Sequence, residues 1–209
     1  MFNKNFIVIC ISSTIAAFPP MAVVLLGGII TSQIMMKDSL ATVPMTLMII
    51  GIAISAPIAS RFMSIWGRQK GFLFSSLLSC LALIICSIAI YLENFFIFAL
   101  GNFLIGSSQA FIHQYRFAAS ESVAKELIPR SISIILLLGI ISALLSSNFA
   151  EYFKDFFPSN LFLGSYIFLS FTAIIPFFVL LFYKETKTSN NQSKFEIETI
   201  FKLLNNIKI

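Results

Sequence analysis

Charge is scarce in this sequence: Asp, Glu, Lys and Arg make up 11% of its 209 residues, against about 25% in an ordinary soluble domain. Hydrophobic residues reach 58%, more apolar surface than a water-soluble fold of this size can hide, so that class is excluded. There is one histidine and there are three cysteines, and they form no cluster with metal-ligand spacing, so no metal site is expected. Cys10, Cys80 and Cys86 all sit in apolar runs, where thiols pack as small apolar groups rather than build a disulfide framework. No apolar run carries a pair of carboxylates for acid–base work. Gly101 and Gly106 have the glycine spacing of a phosphate loop, but Ser107 stands where lysine is required and no strand precedes them. Neither an enzyme nor a bound cofactor is expected.

What the sequence has in abundance is long uncharged runs. Six windows, each near the roughly 20 residues that cross a bilayer core, predict spans over about 6–30, 39–60, 71–92, 94–115, 131–150 and 160–183. The expected class is an all-α membrane protein. The first window has a rival reading as a signal peptide, built on Lys4, "FIVICISST" and the pair Ala16–Ala17. Charge-free sequence continues through "FPPMAVVLLGGII", which favours a full span with a Pro-Pro kink.

Basic residues predict the orientation. Lys4, Arg61, Arg68, Lys70, Arg116, Lys125, Arg130, Lys184, Lys187, Lys194, Lys202 and Lys208 fall on one side, while Lys37 and Lys154 fall on the other. The basic side is retained in the cytoplasm, which places both termini there and the protein, as a multi-pass chain, in the cell's inner (plasma) membrane. The net charge of +5 thus reports topology and anionic headgroups of the lipid bilayer, not nucleic acid. Tyr91, Tyr152, Tyr183 and Trp66 lie at span ends, where amphipathic rings anchor. Beyond Tyr183, "KETKTSNNQSK" reads as a flexible linker over 184–193. Residues 194–209 then repeat Ile197, Ile200, Phe201, Leu204 and Ile207 at helical spacing, which predicts an amphipathic helix on the cytoplasmic surface.

The polar content of the fourth span calls for a partner. At about 100° per residue, Asn102, Gly106, Gln109, His113 and Arg116 project within an arc of about 80°. Polar groups are expensive against hydrocarbon, so this stripe is expected to face protein or a water-filled solute pathway. Two duller readings stand beside that one. Asn102 and Gln109 could simply bond neighbouring helices while Gly101 and Gly106 allow close packing. His113 could be a packed imidazole, and Arg116 could snorkel to headgroups. Gly67, Arg68 and Lys70 form a tight basic loop after the second span, and Arg116, Glu121 and Arg130 read as a cytoplasmic ion-pair network.

"IASRFMSIWGRQKGF" followed by "QYRFAASESVAKELIPRSIS" resembles the N-terminal six-helix half of major facilitator superfamily transporters. Within that superfamily the two motifs are similar to an uncharacterised bacterial subgroup in which a Gly-Arg-x-x-Gly-Phe loop and a Tyr-Arg-Phe-Ala-Ala-x-Glu segment recur. The resemblance implies two inverted three-helix repeats, with spans one and four lining the pathway and spans two and five facing a second half. Gly67, Arg68 and Lys70 then fall in the cytoplasmic gating loop. Two positions depart from the family. Ser64 and Ile65 stand where Asp-Arg is usual, which sets the charge relay of that Asp in question, and "GIISALLSSNFAE" lacks the Gly-Pro motif of drug:proton antiporters. The tail "IETIFKLLNNIKI" is similar to the segment leading into a seventh helix. The expected function is therefore secondary transport of a small solute by alternating access, as a truncated or split half, with a separate six-helix half or a homodimer partner. Should a proton be coupled, its relay is His113 or lies in the other half. The alternative is a non-transporting subunit or inactive remnant that packs on a partner through Gly27, Gly28, Gly51, Gly101 and Gly106.

Overall fold

A helix satisfies every backbone group within itself, which is the condition hydrocarbon imposes. The computed structural model describes residues 3–35, 38–158 and 160–184, and among these the chain is helical with no strand. The protein is an all-α membrane protein with six helical segments long and apolar enough to cross a bilayer: Lys4–Gln33, Val43–Trp66, Arg68–Tyr91, Phe95–Glu121, Lys125–Tyr152 and Leu163–Leu180. The linker expected over 184–193, apart from Lys184, and the amphipathic helix expected over 194–209 lie outside the described residues.

Four spans are built on single helices, α3 (Val43–Trp66), α4 (Arg68–Tyr91), α7 (Ile128–Tyr152) and α8 (Leu163–Leu180). The other two are interrupted. In the first, α1 (Lys4–Ala16) passes to α2 (Phe18–Met35) at Ala17, where Pro19 and Pro20 offer no N–H to the carbonyls one turn back. In the fourth, α5 (Phe95–Ile112) passes to α6 (Tyr115–Glu121) through His113 and Gln114, and Gln114 N–H bonds Phe111 O at 3.0 Å in a tighter turn. No proline or glycine marks this second break. The fully buried Tyr115 lies face to face with Phe72 of α4, ring centroids 4.0 Å apart. Helix therefore continues to Glu121, where the sequence suggested a loop from 116 onward.

Packing is closest where small residues let backbones touch. The buried face of α3 runs Pro44, Met48, Gly51, Ser55, Ala59 and Met63. A Cβ on Gly106 would strike the Met48 carbonyl, and one on Gly51 would strike the Phe103 carbonyl. Gly101 lies against Cys86 and Ala82 of α4, Gly27 against Pro44, and Gly28 against Ala41. The glycines that the sequence offered as a face for a separate partner are thus used inside this chain.

The pattern of neighbours is two-fold. Span four packs mainly on α3 and α4, span one on α7 and α8, and α4 and α8 on each other. Exchanging spans one with four, two with five and three with six returns most of these neighbour pairs, although the contact of span one with span three has no counterpart of similar size between spans four and six. The same exchange relates the two interrupted spans. Spans two and five remain at the margin: 22% and 17% of their membrane windows are buried, against 50–56% in the other four. Their outward rows, Ile49, Ile54 and Ile58 on α3 and Leu137, Ile140 and Leu144 on α7, are apolar and exposed.

Polar clasps mark the two ends of the bundle. At one end Asn5 Nδ2 donates to Lys184 O at 2.6 Å, Lys184 N–H returns a bond to Asn5 Oδ1 at 3.3 Å, and Gln69 Nε2 donates to Leu180 O at 2.9 Å. At the other, Asn160 Nδ2 reaches Ile90 O at 3.4 Å. Gly67, with φ 94°, closes the turn between α3 and α4 in a conformation that only glycine adopts freely.

Candidate functional site

The two interruptions face each other across a cleft of about 250 Å³. Span one contributes Ser13, Ala17, Pro20 and Met21, span four contributes Gln109, Ile112, His113, Tyr115 and Arg116, and α7 contributes Ile135, Leu136 and Gly139. The span-one and α7 sets lie in the interior of their spans, while the span-four set runs from Gln109 in the interior to Arg116 near the end, so the cleft extends from that end of the bundle toward its middle. Helix interruptions place irregular backbone here, which hydrocarbon tolerates only beside protein or a water-filled cavity.

The polar stripe of span four divides at this cleft. Gln109, His113 and Arg116 line it, whereas Asn102 does not. Asn102 is fully buried, its Nδ2 donating to Phe98 O at 2.7 Å on its own helix. Its neighbour on the stripe, Gly106, faces the α3 backbone. Of the expected pathway residues, three are brought together and the fourth is packed within the bundle.

Among the described residues, Ser12 Oγ, Ser79 Oγ, Asn102 Oδ1, Gln109 Oε1 and Tyr166 Oη are buried without a protein partner. Gln109 is the one of these that borders the cleft. An unpaired buried acceptor costs roughly 1–3 kcal/mol, and such a group calls for a partner the chain does not supply. Arg116 is exposed, with Nε 3.5 Å from His113 O, and it takes part in neither of the ion pairs found among the described residues. No acidic side chain lines the cleft.

The expected network of Arg116, Glu121 and Arg130 is not what the structure brings together. Glu121 is held by Arg68 from the turn after α3, Nε donating to Oε2 at 2.7 Å and Nη2 to Oε1 at 2.5 Å, with the two side chains 15% and 21% exposed. Lys70 places its Nζ 5.9 Å from the centre of the Trp66 ring, and Arg130 is exposed at the start of α7. The Gly67–Arg68 turn is thereby fastened to the end of α6, joining spans two, three and four at this end of the bundle.

Span one is pinned beside its interruption. Ser142 Oγ donates to Thr14 O at 2.7 Å and Ser146 Oγ to Phe18 O at 2.9 Å. The two serines lie one turn apart on α7, and their acceptors lie on either side of Ala17. Gly139, one turn before Ser142, has nothing within 4 Å of the position a Cβ would take. The span-one and α7 walls escaped residue-level reading because they carry no charge; the Pro-Pro pair and the lone glycine in "LLLGIIS" were the available signals.

The fold is that of a polytopic membrane protein with a largely apolar interior cleft that a few polar side chains border, and one comparison adds to that. No protein-family model matches the sequence. The chain is 27% identical over 165 residues to a riboflavin transporter of Brucella anthropi, an alignment covering 79% of this chain and 42% of that protein. The match thus spans less than half the length of that relative.

Proposed function

We propose that the chain is one six-span half of a secondary carrier of the major facilitator type, and that it moves a small solute of the riboflavin kind by alternating access. The observation that carries this reading is the cleft: interrupted spans one and four face each other across it, and Gln109, His113 and Arg116 are among the residues that line it. Similarity to a riboflavin transporter supports the solute class, and the two-fold pattern of neighbours supports the repeat architecture. A cleft of about 250 Å³ falls just short of the roughly 300–1,000 Å³ that encloses a drug-sized ligand. It suits one wall of a site whose other wall comes from a second bundle.

That second bundle, a separate half or a second copy, rests against the apolar outward rows of α3 and α7. The end carrying Lys4, Arg61, Arg68, Lys70, Arg116, Lys125, Arg130 and Lys184 faces the cytoplasm, and the membrane is the cell's inner membrane. The Arg68–Glu121 pair holds the cytoplasmic Gly67–Lys70 turn, with Gln109, His113 and Arg116 above it as pathway residues. Should a proton be coupled, its relay is His113, the cleft's imidazole and the side-chain type that titrates nearest neutrality, or lies in the second half. Uptake of labelled riboflavin into cells or proteoliposomes carrying the chain with its second half tests the reading. Saturable uptake above empty membranes is expected and uptake equal to empty membranes overturns it, while rates that ignore external pH between about 5.5 and 7.5 remove His113 as the relay.

A further inference from the structure

We infer that a groove between α4 and α8 holds one acyl chain of a bilayer phospholipid, in the leaflet at the Tyr91 end of the bundle. It is separate from the solute cleft and does not depend on the carrier reading. The first ground is the groove's place in the membrane. A space of about 630 Å³ follows α4 from Tyr91 to Cys80 and α8 from Leu163 to Ile174. Tyr91 ends the Arg68–Tyr91 span and Cys80 sits at its middle. The stretch between them rises roughly 16 Å, and one leaflet is about half of a 30 Å hydrocarbon core. The groove is therefore as deep as a single leaflet. Just past its inner end Ser76 Oγ donates to Ala173 O at 2.6 Å, holding the two helices together. At its outer end stands Tyr91, 67% exposed, at the level where amphipathic rings meet headgroups.

The second ground is chemistry. Ser87 and Ser170 lie in the lining, but Ser87 Oγ donates to Leu83 O at 2.9 Å and Ser170 Oγ to Ile167 O at 2.7 Å, each on its own helix. No charged side chain borders the groove. Sites for small solutes keep a few polar groups free to fix orientation. Here both hydroxyl protons are committed, so hydrocarbon is what gains by entering. Water does not fill an apolar groove surrounded by lipid tails, and vacancy would forfeit the dispersion contacts of the walls. A flexible unbranched chain is what the membrane supplies at that depth.

The experiment is native mass spectrometry of the full chain, reconstituted with dioleoyl phosphatidylethanolamine and released from detergent, counting phospholipid bound per chain. One phospholipid is expected to survive release. In the Ile84→Trp, Ile88→Trp double variant, rings enter the groove from exposed positions on its rim, and retention is expected to fall about tenfold. An Ile49→Trp, Ile54→Trp pair on the outward row of α3, equally exposed, is expected to keep the lipid, which separates a held chain from the general lipid coat. On the unmodified protein, dihexanoyl phosphatidylethanolamine, whose tails are too short to reach Cys80, is expected to be retained about tenfold less than the dioleoyl lipid. This last comparison reads the groove without any substitution. No lipid on the unmodified chain, equal retention of the two lipids, or equal loss from both tryptophan pairs overturns the inference. So does a second copy of the chain, in place of lipid, lost on filling the groove.

Discussion

Arg68 grips Glu121 with two parallel hydrogen bonds, across 53 positions of sequence. The fork matches the carboxylate edge on, a geometry lysine cannot reproduce. Arg68→Lys is therefore expected to lose much of what Arg68→Ala loses, about 1–3 kcal/mol in unfolding stability measured in detergent. A double-mutant cycle with Glu121→Gln will show coupling for Arg68 and close to none for Arg116 or Arg130. Coupling to Arg130 instead would return the ion-pair network expected from sequence.

The α3–α5 crossing rests on absent side chains. Gly106→Ala drives a methyl into the Met48 carbonyl, and Gly51→Ala drives one into that of Phe103. Backbone cannot move as a flexible side chain would, so each is expected to destabilise by about 1–3 kcal/mol or more. Gly139→Ala meets open space and gains helix propensity, so it is expected to be neutral or mildly stabilising. Unfolding midpoints of the three variants provide the check.

Gly139 also allows the cleft to be filled without disturbing the bundle. Gly139→Leu projects into empty space on the α7 wall, so stability is expected to hold while, on the proposed carrier reading, uptake of the solute falls at least tenfold through loss of volume. Undiminished uptake by a well-folded Gly139→Leu protein would place the pathway elsewhere.

Ser142 and Ser146 hold span one beside its Pro-Pro interruption. Interhelical bonds of this kind are worth roughly 0.6–2 kcal/mol within a membrane. Ser142→Ala and Ser146→Ala are each expected to cost about that much, and the pair more than either, as read by thermal unfolding in detergent.

The six spans were legible because hydrocarbon imposes one rule on every residue of a span, and composition over about 20 residues records it. The first interruption was legible for a similar reason, since Pro19 and Pro20 remove backbone donors by their own chemistry. The second was not. What accompanies the turn at His113 and Gln114 is Tyr115 lying against Phe72, a contact between spans that no local signal encodes. The stripe on span four was visible by periodicity, but its division was not: Asn102 and Gln109 look alike in sequence, and only neighbouring backbones decide which is packed and which meets the cleft. Sequence reading offered Glu121 two arginines, Arg116 and Arg130, and the fold chose a third, Arg68, 53 positions away.

The central claim is that the space between spans one, four and five is a solute site joined to water. A Gly139→Cys protein in which Cys10 and Cys80 are replaced by serine, leaving the buried Cys86, tests it by the rate of labelling with a charged, membrane-impermeant thiol reagent. Labelling that proceeds readily and is slowed severalfold by saturating riboflavin is the predicted result. A cysteine at 139 that resists the reagent, or that reacts at the same rate with and without the flavin, would contradict it.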